Sequence, residues 1–154
     1  MSMLSSVRSF LRAPAYRKAQ LIEAGLCLAL ARLLTLLPMR TYTRLCGDAR
    51  LKSDFPRELS PKQSQAARQV GSAVQRAATV VPFKALCMEQ TLAARVMLRL
   101  RGVPGTVYIG VHRDPGQRTE DPKGFNAHAW LQTGEIIVVG GPDVSDYVPL
   151  AVFR

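Results

Sequence analysis

Three cysteines and two histidines are the residues of this sequence that can supply a nucleophile and a base: Cys27, Cys46, Cys87, His112 and His128. A cysteine attacks a carbonyl carbon efficiently when a neighbouring imidazole takes its proton. Any such pair must therefore combine one of these cysteines with one of these histidines. Their spacing offers no cluster of metal ligands, so we expect neither a metal site nor a cofactor.

Cys87 differs from the other two cysteines because it opens a predicted helix, CMEQTLAARVMLRLRG. Unpaired backbone N–H groups and the positive end of the helix dipole stabilise a thiolate at this position and lower its pKa. The same N–H groups can receive the negative oxygen of a tetrahedral intermediate. Cys27 lies in an apolar helix and Cys46 in a segment without distinguishing features, so Cys87 is the candidate nucleophile.

His128 is the candidate base. It lies in the predicted strand NAHAWLQ, between two alanines and on the same face as Trp130 and Gln132. A helix packed on that face would present Cys87 within hydrogen-bond reach. His112, by contrast, ends a strand. The residue types alone also allow a structural interpretation, in which Cys87 is a buried thiol and His128 a hydrogen-bonded core histidine.

Three helices are predicted before the strands. In residues 18–37, apolar residues recur at alternating steps of four and three and define one helix face, which ends before Pro38: Ile22, Leu26, Ala29, Leu33 and Leu36. Ser60-Pro61 is a typical helix start, followed by a predicted buried face of Ala66, Val70, Ala73, Val74 and Ala77. The helix that begins at Cys87 carries the apolar stripe Leu92, Val96 and Leu100 and ends at Gly102.

The second half of the chain changes to a period of two, which is typical of strands. TVYIGVH, NAHAWLQ and EIIVV are joined by turn-forming segments and predict an antiparallel meander. Helices followed by hairpin-linked strands indicate an α+β fold, with N-terminal helices packed on a small antiparallel sheet. We divide the chain into a helical N-terminal region, 1–59, and a core, 60–154, which together form one compact unit of 154 residues.

The formal net charge is +10, which favours an acidic peptide or an anionic membrane surface as partner. Basic residues are scattered without interleaved aromatics, so we predict no nucleic-acid binding. Glu23 and Arg32 interrupt the apolar stretch 21–38, which favours a buried or membrane-surface helix over a membrane span. An odd number of cysteines, with no close pair and no cleavable signal, predicts a cytoplasmic location, with membrane association as an open alternative.

Several segments together resemble the leader peptidases of lasso-peptide biosynthesis. They are the Cys87-led helix ending in RGVP, then YIGVHRDP, FNAHAWL, VVGGPD and YVPL, and they extend over about 82–153. The resemblance implies a transglutaminase-like (papain-like) cysteine peptidase fold, with 60–154 as the peptidase core. It also implies a Cys-His-Asp triad, in which Cys87 is the nucleophile and His128 the base. Asp143 is the candidate acid, with Asp146 and Glu135 as alternatives.

The same resemblance implies that the enzyme removes the leader from a ribosomally made precursor before a separate ATP-dependent lasso cyclase closes the ring. The N-terminal half is too helical and apolar for a fused leader-recognition domain, so we expect a separate recognition protein to deliver the leader. Two alternatives stay open. One is an acyl or amide transferase of the same class, and the other is a non-catalytic scaffold that binds a peptide or a membrane.

Overall fold

The computed structural model describes residues 14–38, 41, 49–50, 58–113, 127–141 and 144–154. Three helices pack on one side of a five-stranded antiparallel sheet, which confirms the predicted α+β class. The helices are α1 (Ala15–Thr35), α2 (Pro61–Ala78) and α3 (Cys87–Leu100). The strands are β1 (Ala49–Arg50), β2 (Thr106–His112), β3 (Ala127–Thr133), β4 (Ile136–Val139) and β5 (Tyr147–Phe153), and a short 3-10 turn, Val144–Asp146, precedes β5.

The strand order in the sheet is β1-β5-β2-β3-β4. Strands β2, β3 and β4 form the predicted meander, with Val107 opposite Leu131 and Leu131 opposite Val139. Strand β5 was not predicted. It pairs with the free side of β2, and its register shifts between Ile109 and Gly110, next to Pro149. Such a shift lets a strand that contains proline join a sheet, because proline cannot donate a ladder hydrogen bond.

The predicted start of α2 and the predicted end of α3 are confirmed by their caps. The Ser60 side chain accepts from the Gln63 N–H, and the Gln63 side chain accepts from the Ser60 N–H, which is a complete capping box. Pro61 follows as the first helical residue, where its missing N–H costs nothing. Gly102 ends α3 with φ +64°, a conformation that an L side chain rarely adopts.

Helix α1 turns its predicted apolar face away from the core. Ala24, Leu28 and Ala31 are buried against α2 and α3, whereas Leu26 is 68% and Leu33 63% exposed. Apolar residues occupy two opposite sides of this helix, and the smaller alanines allow the closer approach to the other helices. The stripe predicted for α3 is likewise only partly buried, because Leu100 is exposed. No helix in the described ranges has the length and apolar character to cross a bilayer.

Two ion pairs fasten α1 to α3. Near the C-terminal end of α1, Arg32 Nη1 lies 2.8 Å from a carboxylate oxygen of the buried Glu89. Near the other end, the Arg101 guanidinium donates to both carboxylate oxygens of Glu23, at 2.8 and 2.6 Å. Because the Arg101–Glu23 pair has two hydrogen bonds, it fixes the orientation of the two side chains as well as the distance between them. The two helices therefore run antiparallel, with the start of α3 beside the end of α1.

Substitution of Gly71 by alanine should destabilise the fold. A methyl group at Gly71 in α2 would overlap the backbone carbonyl oxygen of Val138 in β4. We expect Gly71→Ala to lower the free energy of unfolding by about 1–3 kcal/mol, although alanine is the better helix former. Gly25→Ala in α1 is the matched control, because nothing lies within 4 Å of its added methyl. The free energy of unfolding of Gly25→Ala, measured with urea, should rise by about 0.5–1 kcal/mol. Equal changes in the free energy of unfolding for both variants would contradict the close packing of α2 on β4.

Candidate active site

Cys87 is the first residue of α3, and its thiol is hydrogen-bonded to the His128 side chain. The backbones of Ala129 and of Met88 also hydrogen-bond the sulfur. Both contacts favour the thiolate, which identifies these backbone groups as N–H donors. The structure therefore brings together the cysteine and the histidine that the sequence singled out.

The pair is tuned toward an ionised state. Burial raises the pKa of Cys87, but the His128 hydrogen bond, the two backbone contacts and the imidazolium charge outweigh it, so the net direction is downward. The pKa of His128 is raised, first by the hydrogen bond to the Cys87 thiol and then, against burial, by the Gly140 carbonyl. A lowered thiol pKa and a raised imidazole pKa favour a thiolate–imidazolium pair near neutral pH.

The second imidazole nitrogen is held by the main chain. His128 Nε2 lies 2.6 Å from the carbonyl oxygen of Gly140, and it donates there because a carbonyl can only accept. Nδ1 is therefore the nitrogen that remains for Cys87. Gly140 has φ +114°, and a methyl at this position would overlap the Cβ of Trp130. Only glycine brings this carbonyl to the imidazole without displacing Trp130.

Aromatic rings surround the imidazole. The ring centroids of His128 and Tyr147 are 4.7 Å apart, and Trp130 stacks between His128 at 6.2 Å and Tyr108 at 5.2 Å. Trp130 is only 3% exposed. These rings exclude water from one side of the base, which strengthens its hydrogen bonds. His112 is not next to Cys87 in this arrangement, because it lies one ring further away, edge-on to Tyr147 at 5.2 Å.

The way in which Cys87 reaches His128 differs from the prediction. A helix was expected on the face of β3 that carries His128, but the helices pack on the opposite face, where Leu131 and Val107 join the core. Strand β4 pairs with β3 only from Leu131 to Thr133, so the backbone at Ala129 is open to α3. The first residue of α3 meets the strand at this unpaired end, and the thiol contacts His128 there.

The profile of the transglutaminase-like superfamily matches residues 27–152. This chain belongs to the transglutaminase-like superfamily. The match extends from the middle of α1 to the end of β5 and includes Cys87 and His128. Comparison with curated proteins and with solved structures gave no significant match. The superfamily typically comprises cysteine peptidases and transferases, and the fold and the Cys-His contact agree with that class.

Two of the candidate acids, Asp146 and Glu135, are described by the structure, and neither is among the hydrogen-bond partners of His128. Asp143 and Cys46 lie outside the described residues. Asp146 is exposed in the 3-10 turn, where its backbone carbonyl accepts from the Arg113 N–H, and Glu135 is exposed in the turn between β3 and β4. Within the described ranges, the hydrogen-bond partners of the imidazole are Cys87 and the Gly140 carbonyl.

Two features elsewhere are separate from this chemistry. Across the described part of the chain, no three His, Cys, Asp or Glu side chains lie close enough to share a metal ion. A cavity of about 670 Å³ is lined by residues around the C-terminal end of α3, among them Arg95, Arg99 and Gly102. It lies roughly one helix length, about 20 Å, from Cys87 and is therefore not the site of the thiol chemistry.

Cys87 should be alkylated faster than Cys27 at mildly acidic pH. The pKa of Cys27 is raised, first by burial and then by the Glu23 charge, whereas the pKa of Cys87 is lowered, so Cys87 has the larger thiolate fraction at a given pH. At about pH 6 we expect iodoacetamide to label Cys87 at least tenfold faster, as read by mass spectrometry of the digested protein. His128→Ala removes the side-chain hydrogen bond and the imidazolium charge that lower the Cys87 pKa and should reduce the difference. Equal rates at both cysteines in the parent protein would show that Cys87 is not activated.

Proposed function

We propose that this transglutaminase-like protein is a cysteine peptidase that removes the leader from a ribosomally synthesised lasso-peptide precursor. The observation that carries the proposal is the hydrogen-bonded Cys87–His128 pair at the start of α3. The sequence segments that resemble lasso leader peptidases narrow the substrate class to a precursor peptide. A free thiol at a helix N-terminus without a base would not support this chemistry.

The reaction begins when the Cys87 thiolate attacks the scissile carbonyl carbon, which forms a C–S bond and moves one electron pair onto the carbonyl oxygen. Cys87 is the first residue of α3, and the N–H groups of that helix start can stabilise the oxyanion. The His128 Nδ1 proton then passes to the leaving amine as the C–N bond breaks. A thioester remains, and the product carrying the new amino terminus departs.

Hydrolysis of the thioester completes the cycle. His128, now neutral at Nδ1, takes a proton from water, and the resulting hydroxide attacks the thioester carbon. Collapse of the second tetrahedral intermediate expels the Cys87 thiolate and releases the leader acid. In both steps the Nε2–H remains hydrogen-bonded to the carbonyl oxygen of Gly140. The ring therefore keeps the orientation in which Nδ1 faces the sulfur.

We infer that Asp143 supplies the carboxylate of the triad. It lies two residues beyond Gly141, which has φ +83°, and the two consecutive glycines allow the chain to turn back toward β3. A carboxylate near His128 would stabilise the imidazolium more strongly than a carbonyl does. In this arrangement the Gly140 carbonyl orients the ring and Asp143 adds the negative charge.

The proposed reaction involves two further proteins. A separate leader-recognition protein would deliver the precursor, and an ATP-dependent cyclase would use the new amino terminus, all in the cytoplasm. The net charge of +10 favours an acidic leader or partner. A transferase would use the same thioester with an amine in place of water, and an added amine tests for it, since a transferase would form the amide product.

Cys87→Ala should abolish leader cleavage while the fold is kept, because a methyl group replaces the nucleophile without adding volume to the site. The expected loss is at least 10⁴-fold, by analogy with the removal of other catalytic nucleophiles. The measurement is mass-spectrometric detection of free leader from a precursor incubated with the enzyme and a recognition protein. Cys27→Ala is the control and should cleave at the parent rate. Cleavage by the Cys87 variant at a comparable rate would disprove the assigned nucleophile.

Asp143→Asn should lose most of the activity, whereas Asp146→Asn and Glu135→Gln should lose little, because both of the latter residues are exposed and neither is a hydrogen-bond partner of the imidazole. We expect a reduction on the order of 10² or more for Asp143→Asn. Single-turnover cleavage by the three purified variants compares them directly. If Asp143→Asn equals the parent enzyme, the Gly140 carbonyl alone supports His128.

A further inference from the structure

The outward side of α1 carries an apolar surface that nothing in the described structure covers. We use the term outer seam for five residues on this side of α1: Ile22, Leu26, Ala29, Leu33 and Leu36. Ile22 is 55%, Leu26 68%, Leu33 63% and Leu36 69% exposed, and the neighbouring Leu30 and Leu37 are 51% and 47% exposed. The inward side of the same helix is buried through Ala24, Leu28 and Ala31. Helix α1 therefore has a second apolar side that is free to bind.

The extent of this surface exceeds what a monomer usually leaves bare. Six large aliphatic side chains with these exposures present on the order of 600 Å² of apolar surface, the upper end for a single monomeric protein. Burial of that area would contribute on the order of 10 kcal/mol before the entropic cost of association is subtracted. A partner that covers the outer seam is therefore energetically favoured.

The spacing of the outer seam favours a helix as the partner. Its residues alternate in steps of four and three, the strict repeat by which one helix packs along another with side chains interlocked. A membrane surface is the competing partner, because a helix that lies on a bilayer presents an apolar face of the same spacing.

The outer seam is self-complementary when two copies run antiparallel. With Ala29 opposite Ala29, Ile22 of one copy lies opposite Leu36 of the other, and Leu26 lies opposite Leu33. The small alanine at the centre allows the two helices to approach closely. Antiparallel packing also separates the basic N-terminal ends, Arg17 and Lys18, and pairs opposite ends of the helix dipoles. A parallel pair would place those basic ends side by side.

We propose that the protein forms a two-fold symmetric dimer through antiparallel packing of the outer seams of two copies. The two seams, together with the flanking Leu30 and Leu37 of each copy, would bury roughly 1,200 Å², the lower limit for a specific and stable interface. The contact is isologous, so each substitution acts twice. Because the outer seam lies on the side of α1 opposite its contacts with α3, the dimer leaves the Cys87–His128 pair accessible.

The first test is the mass of the full-length protein in solution, by sedimentation equilibrium at concentrations on the order of 10 µM. The parent protein should be a dimer, and Leu33→Glu should be a monomer with unchanged unfolding temperature, since Leu33 is exposed within one copy. Leu150→Glu, equally exposed on β5 at 69%, is the control and should stay dimeric. A monomeric parent protein, or a dimer that persists in Leu33→Glu, would overturn the proposal.

A second test fixes the direction of packing. In a Cys27→Ala background, Ala29→Cys should form an intermolecular disulfide under mild oxidation, since the two copies of position 29 meet at the two-fold axis. Leu26→Cys should not, because position 26 faces position 33. Crosslinking of Leu26→Cys as well as Ala29→Cys would indicate parallel packing and contradict the register. Vesicles of phosphatidylglycerol and phosphatidylcholine test the competing partner: if they sediment a monomeric parent protein but not Leu33→Glu, the outer seam is a membrane surface and the dimer is wrong.

Discussion

A buried carboxylate at the start of α3 is the constraint on which the site depends. Glu89 is 1% exposed, and its oxygens accept from Arg32, from the Thr35 hydroxyl at 3.0 Å and from the backbone N–H of Leu86. A buried charge persists only when it is paired and hydrogen-bonded, and a negative charge at a helix N-terminus is further favoured by the dipole. These contacts join the end of α1, the start of α3 and the residue that precedes Cys87. The position of the nucleophile is therefore set by a helix far away in the sequence.

Opposed effects determine the pKa of the Cys87 thiol. Burial alone would keep Cys87 protonated, and burial alone would keep His128 neutral. Each group shifts the pKa of the other toward its ionised form, and the backbone contacts of the sulfur and the Gly140 carbonyl act in the same direction. Removal of either partner therefore takes away the side-chain hydrogen bond and the charge that favour ionisation of the other. This mutual dependence explains why the pair must be assembled by the whole fold and cannot be read from either residue alone.

Local features of the sequence were sufficient for much of the architecture. Ser60-Pro61 marked the start of α2, the period of two marked β2 and β3, and Cys87 was correctly placed at a helix start. The burial of α1 was not predictable, because apolar residues occupy both of its sides and only packing decides between them. The Gly140 carbonyl was not predictable either, since every residue has one and only the pairing of β3 with β4 brings this one to His128.

The sheet order has a consequence for synthesis on the ribosome. Strand β5 is the last element of the fold, yet it lies between β1 and β2, so the edge strand β1 has no neighbour until residues 147–153 have emerged. Tyr147, which covers His128, arrives at the same moment. Pairings between segments that are distant in sequence form slowly, because the entropy of loop closure is lost before the new contacts stabilise the fold. The nascent chain therefore carries an incomplete site until β5 has emerged, and Tyr147 covers His128 only after that point.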